Sequence, residues 1–186
     1  RIDVLPNCCG NMQLYLIRHT SVDVPKGTCY GQTDVPLATT FESEAQKVKE
    51  ALDGIAFDAT YCSPLSRCRR LAEYCGHGDA QIDDRLMEIN FGEWEMRLFD
   101  DIKGAAIEEW YADYIHTRVP GGESFMDQQM RTKAFLDEIK GKGHERVAVF
   151  THGGIIMNAM LLCGMADYNN VFALQPQYGE IVRIDL

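Results

Sequence analysis

Two short apolar runs, one near each end of the chain, each deliver a histidine. Leu14-Tyr15-Leu16-Ile17 leads into Arg18-His19, and Val147-Ala148-Val149-Phe150-Thr151 leads into His152. Continuous apolar runs of this length are what a strand covered on both faces requires. In an open α/β sheet, ligands bind outside the carboxyl ends of the strands. Both imidazoles are therefore expected in one crevice, with Arg18 beside them. Two histidines and an arginine suit a phosphate, and one imidazole can act as a nucleophile.

The remaining sequence alternates between strand and helix signals. Residues 12–18 form the first strand, and 19–40 a connection rich in Pro, Gly and Asp, long enough to carry function. Thr39 or Thr40 caps a helix running to about residue 53, with Ala45, Val48 and Leu52 on one face. A short strand over 56–62 leads to Ser63-Pro64, read as N-cap and first helical residue of a helix reaching about Cys75. Residues 81–86 are weakly strand-like. Residues 100–116 are amphipathic, with Ile102, Ala106, Trp110 and Tyr114 near helical spacing, and Pro120-Gly121-Gly122 ends them. A helix over 123–140, the strand 147–151, a helix from Ile155 to about Cys163 and an edge strand over 179–186 complete the chain. Such alternation predicts a three-layer α/β/α sandwich, a mostly parallel sheet with helices on both faces and one antiparallel edge strand.

At 186 residues and 46% hydrophobic, the chain has the length for one domain with a substantial core, placed at 12–186. Residues 1–11 read as an upstream extension or cloning remnant ahead of Met12, and they lack the apolar stretch of a secretory signal. No apolar run is long enough to span a membrane. The net charge of −10 argues against nucleic acid or an anionic membrane as partner, and makes a local cluster of arginines more telling. Seven cysteines without a C-x-x-C pair suit reduced thiols and a cytoplasmic setting. Cys62, Cys68 and Cys75 read as core residues, and a zinc site from Cys8, Cys9 or His77 is the weaker reading.

Four segments carry chemistry. In Arg18-His19, the guanidinium fork binds phosphoryl oxygens while the neutral imidazole attacks phosphorus, and water hydrolyses the phosphohistidine in a second step. In Ser63-Pro64-Leu65-Ser66-Arg67, a helix start faces the crevice and Arg67, in the first turn, reaches the same anion. Arg69 projects elsewhere as a solvated charge, and Arg70 is undecided. The stretch from Leu86 to Glu95 offers Glu88, Glu93 and Glu95 as proton donors to the departing alkoxide, and residue chemistry does not choose among them. In Thr151-His152-Gly153-Gly154, the glycines admit close approach of backbone, and His152 stabilises charge on the transferred group.

In this order, Leu16-Ile17-Arg18-His19, Ser63-Pro64-Leu65-x-Arg67, Leu86-x-Glu88-Ile89-x-x-Gly92-x-Trp94-Glu95 and Thr151-His152-Gly153-Gly154 resemble the motifs of the histidine phosphatase (phosphoglycerate mutase-like) superfamily. The resemblance covers about residues 12–160. It implies that His19 is the phosphorylated nucleophile, that Arg18, Arg67 and His152 form the phosphate pocket, and that Glu88 rather than Glu93 or Glu95 donates the proton. It also implies that no metal or other cofactor is needed and that the substrate is a small-molecule phosphate monoester.

Within that superfamily, Tyr30-Gly31-Gln32-Thr33-Asp34-Val35-Pro36-Leu37 and Pro120-Gly121-Gly122-Glu123-Ser124 look like the alpha-ribazole phosphatases. That likeness implies the 5′-phosphate of alpha-ribazole phosphate, or of its cobamide-linked form, as substrate in cobalamin biosynthesis. Gly31 and Gln32 are candidate substrate contacts. Alternatives are a phosphoglycerate mutase, a broad small-molecule phosphatase, or a catalytically silent phospho-ligand binder. The sequence departs from the family at Thr20, Phe41, Leu71 and Met96. Glycine is usual at the first, second and fourth of these and threonine at the third. The Thr20 hydroxyl is a candidate phosphoryl donor.

Overall fold

The computed structural model describes residues 11–186. All but Asn11 of the expected extension, with Cys8 and Cys9, lies outside the described residues. Strand β1 (Gln13–Arg18) is followed by the long connection and helix α1 (Phe41–Leu52). Then come β2 (Ala59–Cys62), α2 (Ser66–Tyr74) and β3 (Gln81–Ile82). Three single-turn 3₁₀ segments lead to α3 (Ala105–Ala112) and α4 (Phe125–Lys140), and β4 (Arg146–Thr151), α5 (Gly153–Leu162) and β5 (Ile181–Asp185) close the domain.

The sheet order is β3-β2-β4-β1-β5. All pairings are parallel except β5 against β1, so the expected architecture is the observed one. Side chains of β1 alternate between two cores, as strand geometry requires. Leu14 and Leu16 join Val147 and Val149 of β4 under Phe135, Leu136, Ile155 and Ile156 of α4 and α5. On the other face, Ile17 joins Ala148 and Phe150 under Val48, Leu52 and Leu71 of α1 and α2. Each such buried side chain contributes about 1.5–3 kcal/mol over an exposed one. Every residue of α5 is buried, in keeping with a helix apolar on all sides.

Four local expectations are corrected. Ser63 and Pro64 do not open α2; the helix starts at Ser66 with Leu65 in extended geometry at its cap. The capping oxygen comes from the long connection, where Asp34 Oδ1 accepts from the Ser66 amide at 2.9 Å and its hydroxyl at 2.6 Å. Thr40 precedes α1 without a side-chain capping bond. The helix expected over 100–116 is confined to α3, because Gly104 has φ 108° and Asp113 leaves helical geometry. The weak strand at 81–86 shortens to β3 and a turn at Asp84–Leu86. Leu71 and Phe41 have packing roles: Leu71 is fully buried, and Phe41 meets Tyr74 edge-on at 5.8 Å, tying α1 to α2.

Candidate active site

Strands β1 and β4 are parallel neighbours in a register that sets Arg18 opposite Thr151. The next residues, His19 and His152, therefore emerge side by side. The His19 amide donates to the Thr151 carbonyl at 3.2 Å, and the two imidazole centroids are 5.2 Å apart. Both rings are buried.

Each ring is held by a hydrogen bond through one nitrogen. His19 Nδ1 lies 2.8 Å from the Thr20 carbonyl. A carbonyl only accepts, so Nδ1 carries the hydrogen and Nε2 keeps its lone pair. Burial, then Arg67 and Arg18, push the His19 pKa down to about 3, which leaves the ring neutral and nucleophilic. His152 Nε2 is 2.8 Å from Ser63 Oγ. The Ser63 hydroxyl also accepts from the Leu65 amide at 3.3 Å, which leaves its own hydrogen available to Nε2; with the hydroxyl as donor, the ring hydrogen of His152 sits on Nδ1. Burial, followed by Arg67, keeps His152 well below its ordinary pKa.

Two guanidinium groups lie close enough to act on His19. Arg67 is fully buried. Its Nη1 donates to the Thr33 carbonyl at 2.9 Å, its Nη2 donates to the Gly31 carbonyl, and its Cζ lies over the Tyr30 ring, 5.4 Å from the centroid. Arg18 donates to the Pro176 carbonyl at 2.6 Å and sits 4.3 Å from the centre of the Tyr178 ring. Arg18 Nε, Arg67 Nε and the Thr20 hydroxyl are buried with no hydrogen-bond partner among the described residues. Buried donors are nearly always satisfied in folded proteins, so these three are suited to an anion. The five described cysteines are free thiols. Cys68 is in the α2 core, its Sγ 3.4 Å from His152 Nε2. No three His, Cys, Asp or Glu side chains among the described residues gather as metal ligands.

The three competing carboxylates separate by position. Glu88 lines the central cavity. Its Oε1 accepts from the Ile89 amide and Gln128 Nε2, both at 2.9 Å, and its Oε2 accepts from the Gly154 amide at 3.3 Å. A side chain on Gly154 would displace the ends of the Glu88 and Gln128 side chains. Glu93 is exposed. Glu95 binds the long connection, accepting from the amides of Gly31 and Gln32 at 2.9 Å each, the Thr33 hydroxyl at 2.8 Å and the Phe91 amide at 3.2 Å.

Gly31 and Gln32 thus have their amides on Glu95, and Gln32 Nε2 donates to the Glu88 carbonyl at 3.2 Å. Neither residue is among those lining the cavity, and the same is true of Thr20, Arg67 and His152, which lie beneath it. Gly31 has a local reason to be glycine, since the Ile89 carbonyl occupies the place of a Cβ. Arg69 and Arg70 are exposed, and Arg70 lies over the Phe41 ring. Arg131 has no counterpart among the sequence expectations. It clamps the Glu88 segment by donating to the carbonyls of Arg85 at 2.7 Å, Met87 at 2.6 Å and Glu88 at 3.0 Å.

The cavity above these groups holds about 480 Å³. Arg18, His19, Glu88, Gln128 and Gly154 lie at its polar end, Phe91, Trp110, Tyr114, Phe125, Met157 and Phe172 form an aromatic and apolar wall, and Tyr30, Ile89, Gln175 and Tyr178 complete the lining. A neutral imidazole with a free Nε2, the unpartnered Nε groups of Arg18 and Arg67 and a cavity-facing carboxyl group suit phosphoryl chemistry.

Residues 14–186 match the model of the histidine phosphatase superfamily (branch 1), and the chain belongs to that family. It is a phosphatase acting on small phosphate esters. Among relatives, the adenosylcobalamin/alpha-ribazole phosphatase of Escherichia coli strain K12 is 29% identical over 153 residues, 78% of this chain and 75% of that protein. A phosphoglycerate mutase structure from Thermus thermophilus superposes with a TM-score of 0.76 at 30% identity, covering 94% of this chain and 93% of that one. The alpha-ribazole phosphatase structure from Shigella flexneri has a TM-score of 0.83 at 24% identity, over 94% of this chain and 91% of that one, a likeness of fold. Among the described residues no helix is long and apolar enough to cross a membrane.

Proposed function

We propose that the protein is a phosphomonoesterase working through a phosphohistidine at His19, with alpha-ribazole 5′-phosphate or adenosylcobalamin 5′-phosphate as substrate in cobalamin biosynthesis in the cytoplasm. The observation that carries the chemistry is His19 itself, with Nδ1–H fixed on the Thr20 carbonyl and Nε2 unengaged between Arg18, Arg67 and His152. Nε2 attacks phosphorus in line, the ester P–O bond breaks, and Glu88 protonates the departing alkoxide. Arg18 Nε, Arg67 Nε, His152 Nδ1–H and the Thr20 hydroxyl receive the phosphoryl oxygens, where charge develops. Water then attacks the phosphohistidine, giving one proton to Glu88 as the P–N bond breaks. Glu88 and His19 return to their starting forms.

The substrate assignment is supported by the relative in Escherichia coli and by the motifs of the long connection. The Thermus thermophilus likeness favours a glycerate-phosphate mutase as the second reading. Quenching the enzyme during turnover of alpha-ribazole 5′-phosphate and mapping the modified residue tests the mechanism. The label is expected on His19 and absent in His19→Ala; turnover surviving in His19→Ala overturns it. A kcat/KM for alpha-ribazole phosphate at least ~100-fold above that for p-nitrophenyl phosphate and 3-phosphoglycerate, about 2.7 kcal/mol, is the expected selectivity. Similar slow rates on all three would remove the substrate assignment and leave the chemistry standing.

A further inference from the structure

The two ends of the cavity differ sharply in chemistry. Away from His19, its wall is a continuous run of rings in mostly edge-to-face contact. Phe91 and Trp110 are 6.4 Å apart, Trp110 and Tyr114 6.0 Å, Tyr114 and Phe125 6.1 Å, and Tyr114 and Phe172 4.8 Å. These rings come from the loop after Glu88, from α3 and the turn beyond it, from the start of α4 and from the segment after α5. Phe91 and Trp110 also pack against the Trp94 cluster and Tyr114 against that of Phe125, so these rings both serve the core and face the cavity. Phe172, at the rim, is 42% exposed, and the Trp110 indole N–H is buried with no partner among the described residues.

The cations are equally informative. Among the described residues, Arg18 is the only lysine or arginine lining the cavity, and it sits beside the nucleophile. The Gln128 amide is committed to Glu88 through Nε2 and to Asn158 through Oε1, the Tyr30 and Tyr178 hydroxyls pair with each other at 2.8 Å, and Gln175 is the other side-chain amide on the wall. A glycerate or serine leaving group carries a carboxylate. Placed among these rings, it would lose water and gain no countercharge, which is strongly unfavourable. An uncharged flat group would instead meet ring faces and edges on several sides, an arrangement that stabilises aromatic pairs.

We propose that the aromatic end of this cavity is a leaving-group subsite for an uncharged, planar aromatic moiety, with Trp110, Tyr114 and Phe172 as its specificity-determining residues. This inference rests on the phosphomonoesterase reading and narrows its substrate class: phosphomonoesters of aromatic-bearing alcohols are selected over small carboxylate-bearing ones.

The test compares 2-(2-naphthyl)ethyl phosphate, ethyl phosphate and O-phosphoserine, each the ester of a primary alcohol, so that the aromatic group is the main variable. The naphthyl ester is expected to have a kcat/KM at least ~100-fold above the other two. Phe172→Ala and Trp110→Ala should each lower the naphthyl-to-ethyl ratio tenfold or more, while Met165→Ala, on the exposed surface outside the cavity, leaves the ratio unchanged. Phe172→Leu, which keeps an apolar side chain at the rim without the ring, tells stacking from bulk: a ratio as low as in Phe172→Ala assigns the loss to the ring. A ratio insensitive to both alanine variants, or O-phosphoserine equalling the naphthyl ester, overturns the proposal. Binding of 2-(2-naphthyl)ethanol, measured by calorimetry on wild type and Phe172→Ala, separates the two layers. If no monoester is hydrolysed but the alcohol binds and Phe172→Ala weakens it at least tenfold, the catalytic reading fails and the subsite stands. If esters are hydrolysed but the alcohol shows no such dependence, the subsite fails alone.

Discussion

At the scale of single residues, the site depends on two histidines being uncharged and correctly oriented. A histidine whose pKa drops from 6.5 to about 3 on folding takes up a proton in the unfolded chain before it does so in the folded one. The stability associated with it is fully present above pH 6.5 and is lost as pH falls toward 3, by about 1.4 kcal/mol per pH unit. Urea unfolding of His19→Asn between pH 6.5 and 4.5 should therefore show a pH slope shallower than wild type by about that amount; equal slopes would contradict the burial of an uncharged His19. The 2.8 Å hydrogen bond between Ser63 and His152 makes Ser63 a positioning residue in this reading. Ser63→Ala removes the hydrogen bond to His152 Nε2, worth about 1–3 kcal/mol at a buried group, and should lower kcat/KM roughly 5–150-fold. Ser63→Thr should restore most of it, and the nitrogen-15 shifts of His152 should report a mixed tautomer only in the alanine variant. That Arg18, His19, Arg67 and His152 come together was legible, because each follows a strand or helix signal in an ordered motif. The role of Ser63 was not, because the dipeptide Ser63-Pro64 reads equally well as a helix start and only the fold brings His152 to its hydroxyl.

Among the elements, the long connection after β1 is ordered by distant side chains rather than by its own turns. Glu95 receives hydrogen bonds from residues 31, 32, 33 and 91, and Asp34 caps α2. Glu95→Gln turns one of the two accepting oxygens into a donor facing amides. It should destabilise the protein by about 1–3 kcal/mol, with faster amide exchange at Gly31 and Gln32 and unchanged exchange in β4. Next to it, Met96 adopts φ 65°, a conformation that disfavours side chains by roughly 1–2 kcal/mol. Met96→Gly should then stabilise the chain by about 0.5–1 kcal/mol once the greater entropy of glycine in the unfolded state is counted, read as a shift in the urea midpoint. Sequence periodicity located the buried strands and the major helices well, because their apolar spacing reflects burial directly. It overextended the helix around α3, because Ile102 is buried by a 3₁₀ turn that mimics helical spacing across Gly104. The clamp from Arg131 and the caps from Asp34 had no local signal at all, since each joins residues far apart in the chain.

The whole molecule presents a dianionic substrate with a protein of net charge −10. The long-range field therefore opposes encounter, while buried Arg67 and half-buried Arg18 would act at short range, where salt screens little. Raising sodium chloride from about 10 to 200 mM, across which the screening length falls severalfold, should increase kcat/KM modestly rather than reduce it. A steep decrease would mean that the arginines dominate the approach as well as the bound state. The strand order carries a separate consequence. β4 lies between β2 and β1, so the earlier strands have no neighbour in common until residues 146–151 take their place, and that same strand positions His152. Assembly of the sheet and assembly of the site are thus one event. A newly made chain holds no half-built phosphate pocket to be trapped by ligand, and a lesion in β4 should lower the amount of folded protein and its turnover together.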